Sequence, residues 1–550
     1  MMGETNKEIF QRSQGLIEDK SWALSSEAYN LSYTDIYDFA AKKQSLKKWE
    51  IELGIHHQEL GLPWDQPVPE EQWDLVADYC TNDVIATEAV WNHLQGDFLA
   101  RRILADIAGG TVNDTTNSLT TRLIFGNDRE PQSQFQYRDL AEPVTEISGD
   151  MYSFLHANFP EMINGKVQDR NGVQSILPFF PGYSFDMSRD KDQWSQYRGH
   201  NVGEGGFVWA KPGMYSNVIT FDVASEHPHS ITSEYLFGSY TIAFNDLMEA
   251  RIAIKHKDFE KAGSLFNGKL RSYLSDPAQA KQLSSALKIA INSVYGLTSA
   301  KFNNPFRDRR NIDNIVAKRG ALFMIDLLED LIEKGVEVIA IRTDSIKVCN
   351  PTTELQNYIF DFGKRYGYIF EIEHKFEKIC LVNDAVYIAK CAADDPETPG
   401  EWTATGTQFK VPYVFKTLFS KEPIEFRDMC ETKTVKTALY LDMNEGLPEN
   451  QHHYHFVGKT GLFCPIKQGC GGGILYRVNG EKYTAVTGTK GYRWLESEMV
   501  SSLAKEADVD RSYYISLVDA AVNTISQYGD FEWFASDDSE LPDDTPPFEL

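Results

Sequence analysis

Two aspartates at the ends of short apolar segments give the clearest chemical signal in this sequence. Asp222 ends the apolar run 217–223, and Asp344 lies between the apolar segments 336–342 and 346–350. These patterns predict a buried strand that ends at Asp222 and a β-hairpin with Asp344 at its turn. Mg²⁺ prefers oxygen ligands and is usually held by one or two carboxylates together with substrate phosphates. Taken singly, either aspartate is more often a turn or cap residue.

A second group of polar residues has helical spacing. Lys288, Asn292 and Tyr295 are four and three residues apart, so they share one face of a predicted helix. Arg251 and Lys255 are i,i+4 neighbours on an earlier helix. Cationic side chains from two helices that point to one place can hold a triphosphate. The alternative is a solvated helix face whose lysines cover apolar surface with their stems.

Three predicted helices must position these side chains. Hydrophobic periodicity places them at 242–263, 277–296 and 314–335, with Asp276 capping the second and Gly335 ending the third. The second helix has an apolar stripe opposite its polar face, formed by Leu283, Leu287, Ala290, Ile291 and Val294. About a dozen residues separate the first two helices, which favours an antiparallel pair.

Length and composition limit the class of protein. The chain has 550 residues, 42% of them hydrophobic, and a formal net charge of −26. This length predicts three or four domains of about 150 residues each. Seven scattered cysteines indicate reduced thiols rather than disulfides. No segment has the roughly 20 apolar residues that span a bilayer, and the first residues lack a signal-peptide core, so we expect a cytoplasmic protein without a membrane partner.

The total charge hides a strong local imbalance. An acidic chain at first argues against a nucleic-acid partner, because phosphate binding needs Lys and Arg. Residues 251–319, however, carry 14 basic and five acidic residues, a balance of +9. Residues 530–550 carry eight acidic residues and no basic ones, which predicts a disordered acidic tail.

Three motifs, in this order, resemble those of family B DNA polymerases, most closely the enzymes of tailed bacteriophages. DVASEHPHSI, which starts at Asp222, is similar to the palm pattern D-x-x-S-L-Y-P. KIAINSVYG, from Lys288 to Gly296, matches every fixed position of the finger pattern K-x-x-x-N-S-x-Y-G. RTDS, which ends at Ser345, resembles the D-T-D-S hairpin. The glycine-rich segment 203–215 resembles the link before the palm.

The resemblance implies a role for each matching position. Asp222 and Asp344, with the carbonyl of Val223, would hold two Mg²⁺ ions, for which Mn²⁺ can substitute. The residues implied to bind the incoming nucleotide are Arg251, Lys255, Lys288, Asn292, Tyr295, Ser225 and His227. Those implied to contact DNA are Arg342, Thr343, Tyr387, Gly205 and Gly206.

The sequence departs from the family pattern at three positions. Arg342 replaces the first aspartate of D-T-D-S, which the resemblance does not use as the metal ligand, so activity is still expected. Glu226 and His227 replace Leu and Tyr, which leaves sugar discrimination open. These departures keep open a second hypothesis, a catalytically inert polymerase-like DNA-binding or scaffold protein.

The N-terminal region resembles part of a proofreading domain. Tyr79 and Asp83 match a Y-x-x-x-D pattern on a predicted helix, whereas residues 1–34 contain no D-x-E strand. We therefore expect an incomplete 3′→5′ exonuclease domain in residues 1–105, completed by another chain, truncated, or purely structural. No proofreading by this chain alone is expected.

The C-terminal third gives weaker signals. Tyr387 fits a palm–thumb motif whose Lys position holds Ala385, and the segment 482–494 is a competing match. A zinc site is a minor alternative for five residues whose spacing fits no standard finger, namely His452, His453, His455, Cys464 and Cys470.

The resemblance predicts an α+β multidomain fold, a right-hand polymerase of palm, fingers and thumb preceded by the partial RNase H-like exonuclease domain. The expected segments are 1–105 exonuclease-like, 106–241 connection and first palm part, 242–296 fingers, 297–392 second palm part, 393–529 thumb or C-terminal region, and 530–550 tail. The expected function is template-directed addition of deoxynucleoside triphosphates to a primer 3′ end. Primer–template DNA, dNTPs, other phage replisome proteins and a chain that completes the exonuclease are the expected partners, in the host cytoplasm if the protein is phage-encoded.

Overall fold

The computed structural model describes residues 5–17, 34–63, 66–164, 167–168, 172–479 and 482–536. The chain divides into two compact units. Unit 1 contains residues 1–102, 111–115 and 430–510, and unit 2 contains 103–110, 116–429 and 511–550. Both combine helices with antiparallel sheets, so the protein is a mixed α and β multidomain chain.

The helices and strands have the following bounds. The helices are α1 Asn6–Ile17, α2 Ile36–Phe39, α3 Leu46–Leu53, α4 Trp73–His93, α5 Gln95–Ala108, α6 Thr116–Phe125, α7 Gly149–Asn158, α8 Pro160–Asn164, α9 Glu226–Ser233, α10 Thr241–Lys255, α11 Phe259–Ser264, α12 Pro277–Ser299, α13 Ile315–Glu333, α14 Thr353–Arg365, α15 Thr407–Lys410, α16 Pro412–Phe415, α17 Ser497–Ser502, α18 Arg511–Ser526 and α19 Phe531–Ala535. The strands are β1 Val167–Gln168, β2 Gln174–Ser175, β3 Ser184–Phe185, β4 Ser195–Tyr197, β5 His200–Asn201, β6 Val208–Ala210, β7 Gly213–Val223, β8 Val338–Arg342, β9 Ser345–Cys349, β10 Phe370–Asn383, β11 Val386–Cys391, β12 Trp402–Thr405, β13 Glu431–Asp442, β14 Tyr454–Ile466, β15 Ile474–Asn479, β16 Lys482–Ala485 and β17 Arg493–Glu496.

A seven-stranded sheet forms the centre of unit 2. Its strand order is β12-β11-β10-β7-β9-β8-β6, and every neighbouring pair is antiparallel. The predicted strand at 217–223 is confirmed as the second half of β7, and the predicted hairpin is β8–β9. Val218, Ile339 and Phe376 pack in the apolar core beside these strands. The sheet therefore holds the end of β7 and the β8–β9 turn side by side.

Of the three predicted helices, two form as single helices. Asp276 caps α12 by accepting a hydrogen bond from the Ala278 N–H, as its position before Pro277 predicted. The prediction of one helix over 242–263 was wrong, because α10 ends at Lys255 and α11 begins at Phe259. Lys257 has a φ of 61°, a left-handed conformation that no continuous helix contains.

Helix α13 is more deeply buried than the amphipathic pattern of 314–335 indicated. Residues 315–328 are all buried, including two basic residues of the run 251–319. Lys318 donates from Nζ to the Val202 carbonyl at 3.0 Å, and Arg319 is fully buried. Part of the counted positive charge therefore stabilises the interior of unit 2 and is not available to a ligand.

The partner of Arg319 is a buried carboxylate. Glu234 follows α9 and accepts from Arg319 Nε at 2.6 Å and from Arg138 Nε at 2.6 Å. Burial raises the pKa of Glu234, but the two guanidinium groups outweigh this effect and hold the pKa below its ordinary value. Two cations and hydrogen bonds are what a buried carboxylate needs to stay ionised.

Unit 1 contains a five-stranded antiparallel sheet of order β16-β15-β13-β14-β17. Its described N-terminal part is helical, and α3 packs with α4 around Trp49 and Val90. In the described ranges 5–17, 34–63 and 66–105, no residue lies in a strand. The division into units assigns 430–510 to unit 1 and the rest of 393–529 to unit 2, whereas the predicted domain boundaries were drawn along the chain.

The prediction of a disordered tail from residue 530 was wrong for its first residues. Asp530 accepts from the Trp533 N–H and caps α19, and Trp533 and Phe534 are buried in the core of unit 2. Two aromatic anchors outweigh the local excess of acidic residues. Residues 537–550 lie outside the described residues. None of the described helices is both long and apolar enough to cross a membrane.

Candidate functional site

The β8–β9 turn brings Asp344 next to the end of β7. Thr343 has a φ of 54°, and its N–H donates to the Phe207 carbonyl at 2.9 Å. The Val223 N–H donates to the Asp344 carbonyl at 2.8 Å, and Asp222 pairs with Ser345 across the two strands. A β-branched residue with positive φ is strained, and such strain is held only where surrounding contacts over-determine it. The turn is therefore fixed in a conformation that presents Asp344 beside Asp222.

The electrostatics at this point suit a divalent cation. Burial, the Asp344 carboxylate and the Glu373 carboxylate raise the pKa of Asp222 to about 8, although Lys347 opposes them. Burial likewise raises the pKa of Asp344. Carboxylates that repel one another in a partly buried site favour either a proton or a cation between them. The carboxylates of Asp222 and Asp344 fit the ligand set of Mg²⁺. The backbone carbonyl of Val223, which follows Asp222 in the chain, is a further oxygen beside them.

The glycine-rich segment before β6 lies against the strained turn. A Cβ at Gly206 would lie 2.9 Å from Cγ2 of Thr343, and Gly206 itself has a φ of 142°. Glycine is required here because any side chain would meet Thr343 and because L residues rarely adopt this φ. Gly205 is exposed beside it, with open space around its Cα. The predicted DNA-contact residues Gly205, Gly206 and Thr343 thus lie together at the edge of the aspartate pair.

Three charged residues near Asp222 were not identified from the sequence. Glu371 pairs with Asp222 across β10 and β7, and Glu373 lies at an irregularity in that pairing. Lys347 on β9 is buried, interacts with Glu373 and Asp222, and lies over the ring of Tyr387 at 5.4 Å. Strand pairing brings these residues next to Asp222, although they are more than 100 positions away from it in the sequence. No local sequence pattern indicates such a pairing.

The predicted phosphate-binding residues of α10 lie beside one of these acids. Lys255 Nζ is 3.0 Å from Glu371, and both side chains are largely exposed. Arg251 is half-buried and interacts with the same carboxylate, and burial lowers the pKa of its guanidinium. Since Glu371 is the strand partner of Asp222, these contacts place the two cations near the aspartate pair.

Helix α12 presents the predicted polar face. Lys288 and Asn292 are exposed, and Tyr295 is half-buried one turn further along. The Tyr295 ring lies 3.9 Å from the His227 ring, with the two planes at 79°. His227 in turn lowers the pKa of Asp344, which is otherwise raised by burial. A chain of contacts therefore runs from the aspartate pair through His227 to the exposed face of α12.

The residues before His227 form an unusual helix start. Ser225, the first residue before α9, has a φ of 55° and makes no side-chain cap. Glu226 is 3% exposed, and neither of its side-chain oxygens has a hydrogen-bond partner among the described residues. Burial raises the pKa of Glu226, although His227 opposes the effect. The closest polar atom is His227 Nδ1, 2.9 Å from Oε2.

Arg342 and Tyr387 lie on the same seven-stranded sheet as the aspartate pair. Arg342 is exposed at the end of β8 and lowers the pKa of Asp344 against the effect of burial. Tyr387 lies on β11, and burial raises its pKa to about 12. Both are in unit 2, whereas the competing match at 482–494 belongs to unit 1. Their assignment to DNA contacts stays a prediction.

The exonuclease-like residues of unit 1 have a different environment. Tyr79 and Asp83 lie on α4, as predicted, and share Lys47 as a partner. The Lys47 ammonium is 2.5 Å from Asp83, 3.0 Å from Glu50 and 4.5 Å from the centre of the Tyr79 ring. A cavity of about 860 Å³ lined by Trp49, Trp91 and Asp83 lies beside them. An ammonium group already occupies the position where a cation would neutralise Asp83.

The residues proposed for a zinc site are not brought together as a metal-binding group. His455 pairs with Glu496 at 3.0 Å, and His452 contacts the Leu447 carbonyl. Within the described part of the chain, the one group of at least three His, Cys, Asp or Glu residues with ligand spacing lies elsewhere, at His374, Cys391 and Asp395.

The comparisons with known proteins give a distant likeness among solved structures. No family model matches the sequence, and no curated protein matches it. Among solved structures, the chain is similar to the family B DNA polymerase from the hyperthermophilic archaeon Pyrobaculum calidifontis, with 13% identity and a TM-score of 0.38. The match covers 90% of this chain and 63% of the polymerase, so the chain spans only part of that protein's length. A likeness this coarse assigns no function, so the site has to be judged on its own chemistry.

Proposed function

We propose that this protein is a template-directed DNA polymerase that adds deoxynucleoside triphosphates to a primer 3′ end. The observation that carries the proposal is the position of Asp344, which a strained but hydrogen-bonded turn holds beside Asp222. The match to the family B motifs supports the proposal, because these are the two aspartates that the motifs select. The palm would comprise the seven-stranded sheet, and the fingers would comprise α10 to α12.

The ligand set supports binding of two Mg²⁺ ions, for which Mn²⁺ can substitute. Asp222, Asp344 and the Val223 carbonyl are the residues that would hold them. When bound, two such ions stabilise the attacking and leaving oxygens of an in-line phosphoryl transfer. Burial, followed by repulsion from Asp344, raises the pKa of Asp222, and a bound cation would relieve the repulsion between the two carboxylates.

The cations of α10 and α12 would bind the triphosphate. Lys255 is held by Glu371 at the edge of the site and can exchange this carboxylate for a phosphate oxygen. Arg251 supplies planar N–H groups, and Lys288 supplies a point charge from the exposed face of α12. Together these cations would place positive charge where negative charge develops on the leaving phosphates.

The remaining residues would position the base pair and the DNA. Tyr295 and Asn292 would line the nascent base pair, and His227 with Ser225 would lie beneath the sugar. The primer backbone would pass close to Thr343, Gly205 and Gly206, since the position of a Cβ on Gly205 is open space beside the turn. Arg342 would pair with a backbone phosphate, and Tyr387 would support the primer end. Phage-type replication, with other replisome proteins as partners, is the setting that the motifs favour.

Primer extension tests this proposal directly. Wild-type protein is incubated with a primed template, Mg²⁺ and four dNTPs, and extended products are resolved by length. Asp344→Ala should abolish extension, whereas Asp394→Ala should keep it, because Asp394 is an exposed residue that contacts Lys375. No extension by the wild type, or full extension by Asp344→Ala, would reject the proposal in favour of an inert DNA-binding protein.

A further inference from the structure

Glu226 is a buried carboxylate whose recorded ion-pair contact is with its neighbour His227. Its side chain is almost fully excluded from solvent, and both oxygens lack hydrogen bonds among the described residues. A buried carboxylate whose charge is compensated by few contacts destabilises a fold by several kcal/mol, on the order of the desolvation penalty. Glu234, only eight positions away, shows what full compensation looks like, with two arginines bound to it. Glu226 therefore does not stabilise this part of the fold.

Helix α13 leaves space for this carboxylate. Gly320 lies in the interior of α13, and a Cβ built there would overlap Oε1 of Glu226. Glycine inside a helix is less favourable than alanine by about 1 kcal/mol. Both Glu226 and Gly320 thus lower stability, and each is explained by the other. The buried carboxylate and the glycine that makes room for it together indicate that Glu226 has a functional role.

The contact between Glu226 and His227 indicates what this role is. Its Oε2 lies 2.9 Å from Nδ1 of His227, and the His227 ring packs at right angles against Tyr295. The Nδ1 edge of the imidazole is therefore turned towards the carboxylate, while the Tyr295 ring packs against the imidazole and limits its movement. Tyr295 is itself oriented, since its hydroxyl accepts a hydrogen bond from Asn314 Nδ2 at 3.2 Å. The His227 ring is fixed from two sides.

We infer that Glu226 is a positioning residue that fixes the His227 ring beneath the sugar of the incoming nucleotide and so sets the discrimination between deoxyribonucleotides and ribonucleotides. The inference rests on the proposed polymerase function. Imidazole is smaller than a phenol ring, and a side chain at the surface of the site can rotate out of the way of a 2′-hydroxyl. A ring held in one rotamer by a charged contact cannot do so without leaving a buried carboxylate with no partner at all.

The experiment measures single-nucleotide incorporation of dNTP and rNTP opposite the same template base. The readout is the ratio of the two kcat/KM values, which a general loss of activity or of active protein does not change. Glu226→Leu should lower discrimination by at least tenfold, chiefly because incorporation of the ribonucleotide becomes more efficient. Glu226→Gln should retain most of the discrimination, since an amide of the same size keeps a polar atom opposite Nδ1 of His227. Glu260→Gln, on the exposed surface of α11, is the matched control and should have no effect.

A double-mutant cycle tests whether Glu226 acts through His227. In a His227→Ala background, Glu226→Leu should change the ratio by less than about twofold, because the ring it positions is gone. Gly320→Ala, which displaces the carboxylate without altering it, should reduce discrimination as Glu226→Leu does. Thermal unfolding should show that Glu226→Leu is at least as stable as the wild type, since an apolar group replaces a buried carboxylate whose desolvation the His227 contact compensates only in part.

The outcomes separate this inference from the proposed function. If the wild type extends primers but Glu226→Leu keeps the wild-type ratio, only the role of Glu226 is rejected. An equal effect of Glu226→Leu with and without His227 would also reject it. If the wild type incorporates no nucleotide, the proposed function is rejected and this inference with it.

Discussion

Unit 1 and unit 2 each contain an aspartate that the motifs mark as a metal ligand, and the two have opposite surroundings. In unit 1, Lys47 lies 2.5 Å from Asp83 and also contacts Glu50 and the Tyr79 ring. In unit 2, Asp222 is surrounded by further carboxylates, and its pKa rises to about 8. The first aspartate is part of an ion-pair network with Lys47, and the second lies among acidic groups, as the proposed metal site requires. The chemistry of an aspartate is thus set by its partners.

The difference has a simple electrostatic reason. A lysine ammonium satisfies the charge of a carboxylate and removes the gain from binding a metal. Lys347 is the corresponding cation in unit 2, but it faces both Glu373 and Asp222 and cannot neutralise every acid of the site. The comparison supports polymerase chemistry in unit 2 and a structural role for the motif residues of unit 1.

The largest expected effect is the loss of polymerase activity on substitution of Asp222. Asp222→Asn keeps the shape of the side chain and removes the charge that binds a cation, so extension should fall by about 10³-fold or more. Asp83→Asn should leave primer extension unchanged. Primer-extension rates under saturating dNTP measure both. An equal loss of primer extension in the two variants would contradict the difference between the two units.

A large effect on stability is expected at Glu234. Glu234→Gln leaves Arg138 and Arg319 without their shared buried carboxylate, so the free energy of unfolding should fall by about 3–5 kcal/mol. The folded-state pKa of Glu234 is lowered, so its contribution to stability is present above the ordinary pKa of about 4.3 and is lost as the pH falls below it. Urea unfolding of both proteins at pH 7 and pH 4 checks this expectation. A wild-type advantage that does not shrink at the lower pH would contradict it.

A moderate effect is expected at Lys47. Lys47→Met removes the cation shared by Asp83 and the fully buried Glu50, and we expect a loss of about 1–3 kcal/mol in the stability of unit 1. His57 Nδ1, 3.0 Å from Glu50, limits the loss. The variant should not gain Mg²⁺-dependent 3′→5′ degradation, since one aspartate and one tyrosine do not complete an exonuclease site. Degradation of a labelled single strand that depends on Asp83 would show that Lys47 had masked a working site.

The smallest effect is expected at the exposed pair of Lys255 and Glu371. Glu371→Gln should change the free energy of unfolding by less than about 1 kcal/mol, because the pair is solvated and screened by salt. Chemical unfolding at low and high ionic strength measures this change. A loss of several kcal/mol would mean that the pair is structural and that Lys255 is not free to bind phosphate.

Local sequence patterns correctly predicted the elements whose conformation depends on nearby residues. The strand before Asp222, the β8–β9 hairpin and the Asp276 cap of α12 follow from apolar runs, turn residues and a proline at the first helical position. The break after Lys255 and the burial of residues 315–328 of α13 did not follow from these patterns. Burial on all sides of a helix depends on the elements that pack around it. The apparent positive charge of residues 251–319 was misleading for the same reason, because Lys318 and Arg319 have buried partners.

The sequence by itself determined which residues can do chemistry here: two aspartates at chain reversals, a polar helix face, and two cations one helical turn apart. Only the tertiary structure decided which of them act together. Strand pairing placed Glu371 beside Asp222, packing of α9 on α12 placed His227 against Tyr295, and folding of unit 1 placed Lys47 on Asp83. Charges interact over a few ångströms in space, and the sequence spacing of these partners ranges from 36 to 149 positions. Local patterns therefore identify the groups, and the fold sets their protonation, their partners and their function.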